Sequence, residues 1–263
     1  MNITKPNVMC FSGLDSTGGA GIQADIESLF SVGCHCLPVI TALTVQNTQN
    51  ALSVAISQPS QIIQQARAVL EDIPVNCFKV GLTGSSETVE VIHTLLHDYP
   101  DIPVVLDPMI RAGGGFEFGN QETIDALRSL LVPLTTVLTP NIDEIKQLAP
   151  TADSVEACAN ELLDSGCQLV LLTGTHAQTP EVINKLFSPH GNLTLFSWPR
   201  IEHSFHGSGC TLAASLSGYL AHGLDLREAI QQAQRFTWES LNHGARIGFG
   251  EHIPNRSAWS QQD

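Results

Sequence analysis

The sequence predicts an α/β fold, a mainly parallel central sheet with helices on both faces. Short apolar, β-branched runs alternate with longer runs of helical period, the beat of strands joined by crossover helices. Several of the apolar runs end at glycine or at one polar residue, where an open sheet of this class carries its ligand site. No linker-like stretch, internal repeat or low-complexity tract divides the 263 residues, so a single domain over residues 1–263, with a substantial core, is expected.

The elements follow in order. Val8 to Ser12 reads as a short buried strand running into the glycine-rich stretch Gly13 to Gly21, after which Ile22 to Phe30 takes helical spacing. Cys36 to Val45 and, more briefly, Leu52 to Ile56 have strand character; Pro59 then precedes a helical pattern from Ser60 to Glu71. Cys77 to Val80 is a strand ending at Gly81, Ser86 to His97 a helix, and Pro103 to Leu106 a buried strand ending at Asp107-Pro108. Helices are predicted at 121–131, 141–148 and 154–165, with strands at 136–138 and 169–173 among them. Val182 to Ser188 and Leu193 to Trp198 flank Pro189-His190-Gly191-Asn192 as a hairpin, and two long helices, 209–222 and 225–243, follow.

Composition narrows the function. With 26 acidic and 12 basic residues the net charge is −14, which argues against nucleic acid or an anionic membrane as partner. No long apolar run or signal-like N-terminus is present, so a cytoplasmic protein is expected. Seven scattered cysteines without a Cys-x-x-Cys pair indicate neither a disulfide framework nor a zinc site, and Cys34-His35-Cys36 reads as buried thiols rather than metal ligands.

Two glycine-rich junctions precede helices. His206-Gly207-Ser208-Gly209-Cys210-Thr211 lets backbone N–H groups converge on an anion at a helix N-terminus, a site suited to phosphate or to a phosphoryl group in flight. The first junction, 13–21, has neither the Gly-Lys-Ser/Thr ending of a P-loop nor dinucleotide-binding spacing. Cys210 lacks the Gly-x-Cys-x-Gly elbow of a cysteine hydrolase. Asp15, Gln46-Asn47, Asp107, Asn141 with Glu144, and Gly174 all follow strands. Individually they fit turn and capping roles, Asn141 with Glu144 as a capping box.

Gly13 to Asp25, Thr41 to Thr48, Lys79-Val80-Gly81-Leu82, Val105 to Met109, Leu138 to Asn141 with Glu144, and 206–211 stand in one family's order and approximate spacing. Over almost the whole chain they resemble the ribokinase-like small-molecule kinases and, within them, the hydroxymethylpyrimidine/phosphomethylpyrimidine kinases of thiamine biosynthesis. The resemblance implies a ribokinase-like fold and transfer of the ATP γ-phosphate to the hydroxymethyl oxygen of an aminopyrimidine, then to the resulting monophosphate. It also implies Mg²⁺ as cofactor and a homodimer. It assigns Gly13, Asp25, Val45, Gln46, Leu82 and Met109 to the substrate, and Asp107, Asn141, Thr173, Gly174 and Thr211 to phosphate or nucleotide. Glu144 and Asn141 would organise the metal, partly through water, and Gly207, Ser208, Gly209 and Cys210 would form the catalytic anion hole. Gln46 suits an aminopyrimidine, because its planar amide offers an acceptor and donors at once. Cys210 is either a base, its thiol pKa lowered by the helix N-terminus, or a positioning thiol.

The chain departs from its relatives where many carry lysine: at Thr173, and on the last long helix, where Ala233-Gln234-Arg235 replaces an Ala-Lys pair. Arg235 sits one residue on, about 100° around the helix, and does not replace it. Leu14 stands where Ser is usual. These changes bear on the second phosphorylation and leave two alternatives, a pyridoxine or pyridoxal kinase and a non-catalytic pyrimidine-binding regulatory protein.

Overall fold

The computed structural model describes residues 5–174 and 180–258. Its strands are β1 (Asn7–Leu14), β2 (His35–Gln46), β3 (Ala51–Ile56), β4 (Cys77–Val80), β5 (Val104–Leu106), β6 (Val137–Leu138), β7 (Leu169–Leu172), β8 (Glu181–Ser188) and β9 (Asn192–Pro199). The helices are α1 (Gly21–Ser31), α2 (Pro59–Leu70), α3 (Ser86–His97), α4 (Gln121–Ala126), α5 (Ile142–Leu148), α6 (Val155–Asp164), α7 (Ser208–Ala221) and α8 (Leu226–Asn242). The strands form one sheet in the order β3-β2-β1-β4-β5-β6-β7-β8-β9. Every pairing from β2 to β7 is parallel, and the antiparallel pairings are confined to β2–β3, β7–β8 and β8–β9. The predicted mainly parallel sheet, with the hairpin at 189–192, is therefore observed.

The strand period of two sorts the core into two layers. Met9, Phe11, Phe78, Val80, Leu106, Leu138, Val170 and Leu172 pack with Ile62, Ile92, Ile145 and Leu162 of α2, α3, α5 and α6. The intervening residues Val8, Cys10, Cys77, Val105, Val137 and Leu171 pack instead with α1, α7 and α8 through Leu29, Leu216 and Ile230. Both faces being covered explains why these strands read as unbroken apolar runs. It also fixes Lys79, which lies between Phe78 and Val80 and so shares the face of Cys77, toward α1 and α7. Cys34 is buried in that same layer and Cys36 packs against it half-buried, and all seven cysteines are free thiols.

Several helix starts carry side-chain caps. Ser85, Asn120 and Ser154 accept from the backbone N–H groups of Thr88, Thr123 and Ala157. The predicted helix 121–131 is α-helical only to Ala126; Leu127–Leu131 widens to a π turn and Val132–Leu134 tightens to 3₁₀ around Pro133. Among the described residues no helix is long and apolar enough to cross a membrane.

Candidate active site

A cavity of about 620 Å³ opens at the carboxyl ends of the parallel strands. Its wall takes Gly13 from the end of β1, Gln46 from the end of β2, Lys79 from β4, and Asp107, Thr139 and Thr173 from just after β5, β6 and β7. Asn141, Glu144 and Gly207 to Cys210 complete that side, and Leu82 and Met109 supply apolar surface. The location follows from the topology, since parallel strands deliver their loops to one edge.

The two glycine-rich junctions meet there. Gly207 caps α7 with φ +85°, and a Cβ on it would overlap the carbonyl oxygen of Gly19, so neither the conformation nor the contact admits another residue. Gly21, at φ +59°, opens α1 under the same constraint against the Gly13 carbonyl. His206 Nε2 lies 2.7 Å from Asp15 Oδ2 and ties the loops together. Asp15 also accepts from the N–H groups of Thr17 and Ala20, each at 2.8 Å. Burial opposes its charge, but hydrogen bonds from His206 and Thr17 outweigh burial and hold its carboxyl well below the usual range.

Lys79 carries a buried ion pair at the cavity wall. Lys79 Nζ is 3.0 Å from Asp25 Oδ1 and 3.0 Å from Ser12 Oγ, and Ser12 donates to Asp25. Burial opposes the ammonium, yet Asp25 more than offsets it and raises the lysine pKa.

Asp107 and Glu144 are treated differently. Asp107 Oδ2 is buried without a hydrogen-bond partner, and burial raises its carboxyl to about 6 against the pull of Lys79. Burial and the charge of Asp107 raise Glu144 to about 8. Glu144 Oε2 accepts from Asn141 N at 2.9 Å while Asn141 Oδ1 accepts from Asp143 N and Glu144 N, each at 2.9 Å, so the capping box is real. Two neighbouring buried carboxylates, one with an orphaned oxygen, are oxygen donors of the kind that can hold a hard divalent cation.

The structure brings Gly13, Gln46, Leu82, Met109, Asp107, Asn141, Glu144, Thr173 and Gly207 to Cys210 into one cavity, and it corrects five expectations. Val45 faces away and is 59% exposed, because strand alternation turns it opposite to Thr44 and Gln46. Asp25 lies behind the wall in the Lys79 pair. Gly174 does not line the cavity itself: its N–H is engaged at 2.9 Å with Oδ1 of Asn184, which does. Thr211 is buried, donating to the Gly207 carbonyl at 2.8 Å. The Cys210 thiol is not lowered: burial pushes it up to about 12, with Lys79 pulling down and Asp107 pushing up. The helix terminus does not overcome removal from water.

Two residues of this region had no role in the sequence reading: Lys79, which stood only within a motif, and Arg256. Lys79 had a signal, a lone charge in an apolar strand. Gln234 is buried, its Oε1 accepting from Asn184 Nδ2 at 2.8 Å and Trp198 Nε1 at 3.2 Å, so the position of the missing lysine holds a neutral network. Arg235 points outward to Glu239, as the helix period requires. Arg256, fully buried, had no signal.

With this geometry in place, comparison with known proteins is decisive: the sequence profile of the phosphomethylpyrimidine kinases matches residues 15–255. The chain belongs to the phosphomethylpyrimidine kinase family. It is 33% identical to the hydroxymethylpyrimidine/phosphomethylpyrimidine kinase of Haemophilus influenzae, covering 97% of each chain. It is 35% identical to the thiamine biosynthesis bifunctional protein ThiED of Geobacter sulfurreducens, covering 98% of this chain and 54% of that one. The chain thus spans about half the length of the bifunctional relatives it matches. Among solved structures, the phosphomethylpyrimidine kinase of Clostridium difficile superposes with a TM-score of 0.78 at 30% identity, over 90% of this chain and all of that one. The Bacillus subtilis pyridoxal kinase, solved as an ADP complex, superposes at 0.89 with 24% identity over 98% of this chain and all of that one, a likeness of fold. Family membership and fold together establish the ribokinase-like architecture.

Proposed function

We propose that this member of the phosphomethylpyrimidine kinase family transfers the γ-phosphate of ATP to 4-amino-5-hydroxymethyl-2-methylpyrimidine and then to its monophosphate, in thiamine biosynthesis. The observation that carries the reading is the shared cavity: Gln46, an amide suited to an aminopyrimidine edge, and the glycine loop 207–210 line one space, with Asp107 against Gly209. Gly13, Leu82 and Met109 would flank the flat ring. The N–H groups of Gly207 to Cys210 and the α7 dipole would receive the transferring phosphoryl oxygens, a step that needs positioning and charge neutralisation more than covalent chemistry.

Asp107 and Glu144 would hold Mg²⁺, directly or through water, with Asn141 keeping Glu144 in place. When bound, the ion would neutralise phosphate charge beside the loop. Thr173 would line the nucleotide side. Cys210 acts in this reading as a neutral thiol that positions the acceptor, since burial disfavours its thiolate. The kinase is a single domain and a cytoplasmic homodimer. Free thiols throughout support the compartment. The dimer is supported by the exposed apolar side chains of Leu43, Val45 and Leu52 on the β2–β3 hairpin.

The test is incubation of purified protein with ATP, Mg²⁺ and hydroxymethylpyrimidine or its monophosphate, read by product mass. Diphosphate is the expected product. Binding of the pyrimidine without any product would overturn the kinase reading in favour of a regulatory protein. Preferential turnover of pyridoxal would overturn the substrate assignment.

A further inference from the structure

Arg256 is the largest of the fully buried side chains and is named in none of the roles above. The segment carrying it is laced to the approach of the second glycine-rich loop: His206 N donates to the His252 carbonyl at 2.9 Å and His252 N to the Ser204 carbonyl at 3.0 Å. The guanidinium then reaches three elements at once. Its Nε donates to Thr211 Oγ1 at 2.9 Å, Nη1 to Glu27 Oε2 at 3.0 Å and to the Gly18 carbonyl at 3.5 Å, and Nη2 to the Gly19 carbonyl. Thr211 in turn donates to the Gly207 carbonyl, and the Arg256 carbonyl accepts from Ser31 Oγ at 2.7 Å.

We propose that Arg256 is a positioning residue of the phosphoryl-transfer site, setting the distance and register between the acceptor-side loop 15–21 and the anion-binding loop 207–210. The two loops touch backbone to backbone at Gly19 and Gly207, and beside the His206–Asp15 contact Arg256 spans them from the Gly18 and Gly19 carbonyls to Thr211. A planar five-donor fork can hold two carbonyls and a hydroxyl in a fixed plane at the same time; an ammonium cannot. Glu27, on α1, supplies the counter-charge. Arg256 thereby acts on the loop N–H groups through Thr211 and Gly207 and touches no reacting atom. This inference rests on the kinase reading proposed above.

Arg256→Met, Arg256→Lys and Arg256→Ala are compared with wild type for kcat, for KM of ATP and of the pyrimidine, and for amide hydrogen exchange. Displaced loops should lower kcat of Arg256→Met by roughly 10- to 100-fold per folded molecule while both KM values stay within about threefold. Arg256→Lys should recover little of this, and added methylguanidine should restore turnover to Arg256→Ala. Exchange at Gly207 to Cys210 should quicken while α2 and α3 stay protected. Unchanged kcat per folded molecule, full rescue by lysine, or unchanged exchange at 207–210 would each overturn the assignment. Should wild type show no pyrimidine phosphorylation, the kinase reading fails by itself, and the exchange comparison still decides whether Arg256 sets the loop register.

Discussion

Four carboxyl groups are buried in or under the cavity, and they divide into two pairs. Asp15 and Asp25 are 4% and 0% exposed and have cationic or N–H partners, His206 and Thr17 for one and Lys79 for the other. Asp107 and Glu144, at 3% and 5%, are equally buried but, among the described residues, sit in no ion pair, and both are raised. Glu144 accepts from the Asn141 N–H, and Asp107 Oδ2 has neither a hydrogen-bond partner nor the cation that faces Asp25 Oδ1. Equal burial with an ion pair in one case and none in the other separates the two pairs, and in the reading proposed above the second pair is the one a ligand completes. A satisfied buried charge is structural, whereas an unsatisfied one persists in a folded protein where function supplies the missing partner.

The largest effect should come from breaking the satisfied pair. Lys79→Met strands the Asp25 carboxylate and should destabilise the fold by about 3–5 kcal/mol, measured by urea unfolding, with Lys79→Met/Asp25→Asn recovering much of the loss. Asp107→Asn tests the other pair: turnover should fall by roughly 10²- to 10³-fold, about 3–4 kcal/mol, with no loss of stability, as steady-state kinetics beside thermal melts would show.

The third prediction concerns pH. The folded-state pKa of Glu144 is raised from 4.5 to about 8, so the folded protein keeps a proton that the unfolded chain releases. That stabilisation is complete below the unfolded pKa and is lost as pH rises through the folded one. Glu144→Gln keeps a cap-competent side chain that cannot ionise. Its stability relative to wild type, without ligands, should therefore grow by on the order of 3 kcal/mol between about pH 5 and pH 8. A gap that does not change with pH would show Glu144 ionised throughout and erase the contrast.

Smaller effects sharpen the picture at the substrate. Gln46→Ala should weaken pyrimidine binding by about 2 kcal/mol, roughly thirtyfold, and leave ATP binding unchanged, which calorimetry with each ligand resolves. Cys210→Ser, replacing one neutral donor by another, should change kcat by less than about tenfold, under 1.4 kcal/mol. A larger collapse would restore the base role. Cys210→Asp, placing a third carboxylate beside Asp107 and Glu144, should be worse than Cys210→Ser.

Much of the fold was legible because both of its periods are local. Apolar runs such as 77–80 and 104–106 mark strands buried on both faces, and helical spacing marks helices such as those at 86–97 and 155–164. The site was legible as motifs: Gln46, Asp107, Glu144 and 207–210 do share a cavity. The break in the helix at Leu127 was not legible, because Pro133, which ends it, lies beyond the span that reads as helix. Val45 was misplaced because a motif names neighbours without saying which way a strand turns them.

By itself, the sequence determined the alternation of elements, the two glycine-rich loops and the side chains available to the candidate site, since each is written in residues close together along the chain. Only the tertiary structure decided which of those side chains are charged, paired or left open. Asp25 meets Lys79 across 54 positions and Arg256 meets Gly19 across 237, and Cys210 is raised rather than lowered because distant elements exclude water from it. Ionisation and pairing depend on burial and on partners in space, and neither is a property of a local stretch of chain.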